Sequence, residues 1–428
     1  MDAQPSYSRF LRLAKEGTWI VSGQVAAFCG SLVLVRVLTE YLSPVEYGRL
    51  ALAISIALLS NQIVLGGIGG GIARYFPVAT EHNDLRSYAK GSLVLVTYGT
   101  IVIFVIGSTV VAGLFAVGYS ELAALAIFVI LLSILDNYSS ILNGVQNAAR
   151  RRNIVAFHSG AAPWIKIAMA VMCLRLFGVS SAVVVVGYVI SSLLIVVSQI
   201  HFLRNSLQNT PQSTDSKYPW VAQIWRYSWP FSIFGLFAWL QQASDRWSLE
   251  MLGNSESVGL YVVVFQLGYV PITMALGLAT TFVSPILFQR SGDAKNTARN
   301  KQAHRFGWIV ALSTVALTTI VFAAAFLFHE LIFRFLVASD YRKCSYLFPW
   351  VILAGGLFAS GQMLALKILS ELNTRRLLAP KITTAIIGVS LNIIGAATAG
   401  IDGVVFALVL SSLIYLLWIY TICLEQNW

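Results

Sequence analysis

Long apolar runs alternate with short polar segments from one end of this chain to the other. Each run reaches 18 residues or more, the length an α-helix needs to cross a bilayer. The pattern predicts twelve spans, at 17–39, 45–72, 90–117, 121–144, 154–176, 180–203, 226–252, 256–287, 306–329, 345–370, 377–399 and 402–424. Connections between them are short. The exception is 204–225, polar and rich in Ser, Gln, Thr and Pro, which falls where a linker between two six-helix halves belongs. The expected class is an all-α membrane protein, with an N-terminal half at 1–203, a linker at 204–225 and a C-terminal half at 226–428.

The halves share a signature. Residues 36–46 (RVLTEYLSPVE) return at 246–256 (RWSLEMLGNSE). At that offset Arg36 matches Arg246, Glu40 matches Glu250, Leu42 matches Leu252 and Glu46 matches Glu256. Three of these four identities are charged, in a chain where charge is scarce. A glycine follows each copy, Gly48 and Gly259. A second echo joins Ile141–Arg151 to Ile368–Arg376; both run from Ile-Leu through Asn to Arg-Arg at the inner ends of spans four and ten. Repeats that keep the same topological position are parallel, related by an axis along the membrane normal. Ser43-Pro44-Val45-Glu46 reads as a capping box that starts span two, with a weaker cap in the second copy. Gly66–Gly71 holds two overlapping GxxxG pairs, Gly66/Gly70 and Gly67/Gly71, which predict close helix packing.

Composition sharpens the class and removes others. Of 428 residues 57% are hydrophobic and 11% charged, where globular chains carry about 25% charged residues. Net charge is +11, and its placement matters more than its sum. One side collects Arg9, Arg12 and Lys15, Arg74 and Arg86, Arg150 to Arg152, Arg204 and Lys217, the basic cluster from Arg290 to Arg305, and Arg375 and Arg376. The other side holds chiefly Arg334, Arg342 and Lys343. Positive charge marks the cytoplasmic side, so both termini are expected in the cytoplasm. No small-residue cleavage site follows the first run, which reads as a retained span. The four cysteines are far apart and without CxxC spacing, so neither a disulfide framework nor a metal site is expected. There is no phosphate-binding GxxxxGK[ST] loop, no nucleophile–base arrangement and nothing that points to nucleic acid. No enzyme and no cofactor are expected, and any transport is driven by a gradient, such as H+ or Na+, or is passive, unless a partner supplies energy.

The basic N-terminal helix, a first span ending in Arg36-Val37-Leu38, then Leu42–Ala53 (LSPVEYGRLALA) and Gly66-Gly67-Ile68-Gly69 leading to Arg74-Tyr75-Phe76-Pro77, resemble the polysaccharide-transport family. These are the O-antigen and capsule-type flippases of the multidrug/oligosaccharidyl-lipid/polysaccharide exporter superfamily. The resemblance implies a V-shaped, two-lobed transporter of a bacterial inner membrane that works by alternating access. It implies transfer of a polyprenyl-pyrophosphate-linked oligosaccharide, carried on undecaprenyl in bacteria, from the cytoplasmic to the periplasmic leaflet. A polysaccharide polymerase complex is an implied partner. Two other readings stay open: a multidrug or cation antiporter on the same fold, and a non-transporting scaffold of such a complex.

Ionisable residues inside spans are functional candidates, because a charge facing lipid is costly. A pyrophosphate calls for Arg or Lys. Lys166, near the middle of span five, is the deepest basic residue and the expected cavity cation; Asp136 on span four is its expected partner or a coupling-ion ligand. Arg36 and Arg246 sit near the outer ends of equivalent spans, where they either pair locally with Glu40 and Glu250 or face the substrate. Asp245 is a candidate for H+ or Na+ coupling. Arg74 and Lys367, at inner ends, stand where a lipid pyrophosphate is first captured, or else snorkel to the interface. Gln62 and Gln242, with Gln241, either bind sugar hydroxyls or bridge helices. His158 is expected to be structural. Trp19, Trp220, Trp225, Trp229 and Trp350 are expected in the aromatic belts.

Overall fold

Every regular element among the described residues of the computed structural model, 6–207, 219–291, 297–370 and 374–425, is helical. The order is α1 (Ser6–Tyr41), α2 (Pro44–Ser60), a π-helical turn (Asn61–Leu65), α3 (Gly66–Glu81), α4 (Leu85–Ala116), α5 (Ser120–Ala148), α6 (Arg152–Phe177) and α7 (Ser181–Leu207). Then come α8 (Trp220–Leu252), α9 (Ser255–Ser291), α10 (Thr297–Leu336), a 3-10 segment (Ser339–Leu347), α11 (Phe348–Ser370), a 3-10 turn (Thr374–Leu377) and α12 (Leu378–Glu425).

Ten helical segments among the described residues are long and apolar enough to cross a membrane. This is a multi-pass membrane protein. Two expected spans are not separate members of the ten. α12 runs as one segment but breaks at Ala399 and at Gly400, whose φ of 57° is left-handed; its two arms lie at the spans expected at 377–399 and 402–424. α8 has 33 residues but carries Gln223, Arg226, Gln241, Gln242, Asp245 and Arg246, which lower its apolarity. The expected linker is also shorter, because α7 continues to Leu207 and α8 begins at Trp220. Residues 208–218 of that linker, residues 371–373 of the second echo and Lys295 lie outside the described residues.

The chain forms two compact units, 1–37 with 52–239 and 38–51 with 240–428. These boundaries differ from the expected halves: residues 38–51 belong with the second unit and the start of α8 with the first. The first unit's core gathers Leu65, Ile68, Ile72, Leu95, Trp220 and Ile224. Trp220 is buried and donates its indole N–H to Asp84 at 2.8 Å, so it is a core residue and not part of an aromatic belt. Trp19, Trp225, Trp229 and Trp350 are exposed, as belt residues should be. Of the two GxxxG pairs only Gly67/Gly71 packs: side chains there would meet Ser228 and Ile224 of α8, whereas Gly70 faces open space. The second unit's core joins Leu287, Met363, Leu364, Ile368, Tyr415 and Ile419.

Within the second unit the two copies of the repeated hairpin meet. A Cβ on Gly48 would strike the Ser255 carbonyl and the Gly259 nitrogen; a Cβ on Gly259 would strike the Pro44 carbonyl and the Gly48 nitrogen. The contact is reciprocal, as a two-fold axis requires. Small residues let the backbones come this close. The caps differ between copies. Glu46 N–H reaches Ser43 Oγ at 3.4 Å, the cap contact expected of the capping box, and the Glu46 carboxylate pairs with Arg49 at 2.9 Å. In the second copy Asn254 caps α9 through Ser257 N–H at 2.9 Å, and Glu256 pairs with Lys343 at 2.5 Å.

Candidate functional site

Helices α5, α6 and α7 of the first unit bring Asp136, Lys166, Tyr188 and Ser192 together. Lys166 Nζ lies 3.3 Å from Asp136 Oδ2, and Ser192 Oγ donates to Asp136 Oδ1 at 2.5 Å. The ammonium also stands 5.2 Å from the centre of the Tyr188 ring, within cation–π range. α6 and α7 approach closely because a Cβ at Gly187 would overlap the Ala170 backbone. The side chains of Lys166 and Asp136 keep 24% and 42% of their surface accessible. The expected pairing of Lys166 with Asp136 is present, and the group is open enough to meet a ligand.

One residue along α5, Asn137 is buried and accepts from Asn61 Nδ2 at 2.8 Å while donating to the Ser133 carbonyl at 2.7 Å. Asn61 opens the π-helical turn that also contains Gln62. A π turn is an uncommon distortion found often at functional sites. Gln62 is half-buried, and its carbonyl lies so near Gly235 that any Cβ there would clash.

The second unit holds a different carboxylate site. Asp245 is buried, accepting from Tyr261 Oη at 2.7 Å and from the Arg246 backbone N–H at 2.7 Å. The Arg246 guanidinium stands 5.5 Å from the Phe265 ring centre, and Phe265 stacks on Tyr269 at 4.7 Å. Tyr47 donates to Gln266 Oε1 at 2.6 Å. The Arg246/Glu250 pair does not form: Glu250 instead accepts the Ser255 hydroxyl on its two oxygens, at 2.8 and 2.9 Å. That choice follows from the tight α8–α9 turn, which sets Ser255 beside Glu250.

The remaining candidates fall separately. Arg36 is half-buried on α1, Arg74 is exposed on α3 and Gln242 is exposed on α8. Lys367 corrects its expectation. It has no accessible surface; its ammonium lies 3.4 Å from the Cys423 carbonyl and 5.5 Å from the Trp308 ring centre. Fully buried, it does not snorkel to a surface in this structure, and it ties α11 to α10 and α12. His158 is structural as expected, buried between the Ile154 carbonyl and Ser198 Oγ. Sequence reasoning missed Ser192, Tyr188 and Tyr261. Their only signal is polarity inside apolar spans, which many unremarked serines and tyrosines share.

A family model described as polysaccharide biosynthesis protein matches residues 13–291. The fold is that of solved transporter structures of low sequence identity. The lipid II flippase MurJ, in an inward closed conformation, superposes with a TM-score of 0.68 at 15% identity, over 96% of this chain and 87% of that one. A point mutant of the Vibrio cholerae MATE transporter VcmN gives 0.64 at 12% identity, over 99% and 98%. An outward-facing MATE family multidrug resistance transporter of the MOP superfamily gives 0.57 at 15% identity, over 96% and 97%. No curated protein matches the chain.

Proposed function

The chain belongs to the polysaccharide biosynthesis protein family, and from that premise we propose that it is a flippase for a lipid-linked oligosaccharide. The cargo is a polyprenyl-pyrophosphate-linked repeat unit of O-antigen or capsule type, moved from the cytoplasmic to the periplasmic leaflet of a bacterial inner membrane by alternating access. The carrying observation is Lys166, a cation inside a span that is both held and accessible. A partly exposed ion pair contributes only about 0–1 kcal/mol, so a doubly charged pyrophosphate can take the ammonium from Asp136. Asp136 stays positioned by Ser192 when it does. The freed carboxylate is then available to bind H+ or Na+, and buried Asp245 is the second coupling candidate. Arg36, Arg74, Arg246, Gln62 and Gln242 are proposed further contacts for phosphate and sugar. Lys367 is not among them. A polysaccharide polymerase complex remains the proposed partner.

The test is transfer of a fluorescent undecaprenyl-pyrophosphate oligosaccharide in proteoliposomes. Losing a charge-assisted hydrogen bond costs about 1.5–3 kcal/mol, so Lys166→Ala is expected to slow transfer about 10- to 100-fold. The Arg36→Ala/Arg246→Ala variant should slow it as well. Wild-type vesicles that move no such lipid but expel cationic dyes would replace this reading by the multidrug one, whose members share the fold.

A further inference from the structure

Away from these groups, a cavity of about 490 Å³ opens at the basic end of the first unit, where α3, α5 and α7 end and α4 begins. Its walls are apolar, with Phe76, Leu85 and Leu203, and it is lined further by Glu81, Arg150 and Arg151. The size lies within the range of small-ligand sites.

The turn that presents the arginines is strained. Arg151 N–H bonds the Gln146 carbonyl at 2.9 Å and Arg150 N–H bonds the Asn147 carbonyl at 3.0 Å. This is a Schellman end to α5, in which the penultimate position turns left-handed and is usually glycine. Here it is Arg150, at φ 59°. The neighbouring end of α3 has the same motif with Asn83 at φ 53°, and Asn tolerates that conformation. A cation at a position where glycine would relax the backbone lines the cavity at a conformational cost.

We propose that this cavity binds the headgroup of a membrane phospholipid carrying both a phosphate and a primary ammonium, of the phosphatidylethanolamine class. Arg150 and Arg151 meet the phosphate, the Glu81 carboxylate meets the ammonium, and the glycerol and first acyl carbons lie on Phe76, Leu85 and Leu203. Charge complementarity selects this occupant. A glycerol headgroup would satisfy the arginines equally but offer Glu81 only neutral hydroxyls, and a quaternary choline would deny Glu81 a hydrogen-bond donor. Basic pockets between membrane helices bind phospholipid headgroups through their phosphates in other proteins.

The test is native mass spectrometry of the purified full chain titrated with phosphatidylethanolamine, phosphatidylglycerol and phosphatidylcholine. Phosphatidylethanolamine should bind wild type tightest. Arg150→Gly, which removes the cation and relaxes the turn, should weaken it about tenfold, the loss of one charge-assisted contact, without lowering thermal stability. Glu81→Gln should abolish the preference for ethanolamine over glycerol while leaving phosphatidylglycerol binding unchanged. Inorganic phosphate should not compete. Binding indifferent to Arg150→Gly, a preference that survives Glu81→Gln, or displacement by inorganic phosphate would each overturn the proposal.

Discussion

Asp136 and Asp245 are both carboxylates on long helices, and their surroundings set them apart. Asp136 shares its charge with Lys166 and a serine in a partly open setting. Asp245 is shut in and depends on Tyr261. Tyr261→Phe would leave a buried carboxylate one donor short, at a cost of about 1–3 kcal/mol. Ser192→Ala leaves Asp136 with its lysine and some solvent, so its cost should be the smaller one, about 0.5–1.5 kcal/mol. Thermal unfolding of the two variants in detergent checks this order; equal shifts would mean that Asp245 is not dependent on its tyrosine. Lys166 and Asp136 stand out in the sequence because charge is rare in spans. Tyr261 does not, since one hydroxyl among seventeen tyrosines carries no mark until the helices are packed.

At the level of helices, the apolar runs place most elements correctly, because length and burial in lipid dictate them together. What escapes is local. The π turn at Asn61–Leu65 leaves the hydrophobic pattern of span two unbroken, and only the Asn61–Asn137 bond shows why it is kept. The gap between apolar runs does mark the break at Gly400, though the helix barely pauses there. The crossing at Gly48 and Gly259 is among the tightest contacts between elements in the described residues. Gly48→Ala or Gly259→Ala forces a methyl onto a carbonyl and should cost about 1–3 kcal/mol, as overpacking does. Because both report one contact, the double variant should cost clearly less than the sum of the singles. Thermal unfolding measures all three; additive effects would place the two glycines in separate contacts.

For the whole molecule, the repeat and the distribution of basic residues are the informative signals. Both arise from long-range order that survives averaging over many residues, whereas unit boundaries depend on packing that no single stretch encodes. Orientation follows from charge and is open to test. Lys343→Cys should be labelled by a membrane-impermeant maleimide in intact cells and Arg86→Cys only after permeabilisation; the reverse would invert the topology and the proposed direction of transfer. The reciprocal crossing carries a topological consequence. Pro44, Gly48, Ser255 and Gly259 meet as one patch meets its own copy, which is the seam of a homodimer. A half-length chain carrying one copy would close that seam only by pairing with a second molecule of itself, whereas this chain, carrying both copies, closes it within one fold.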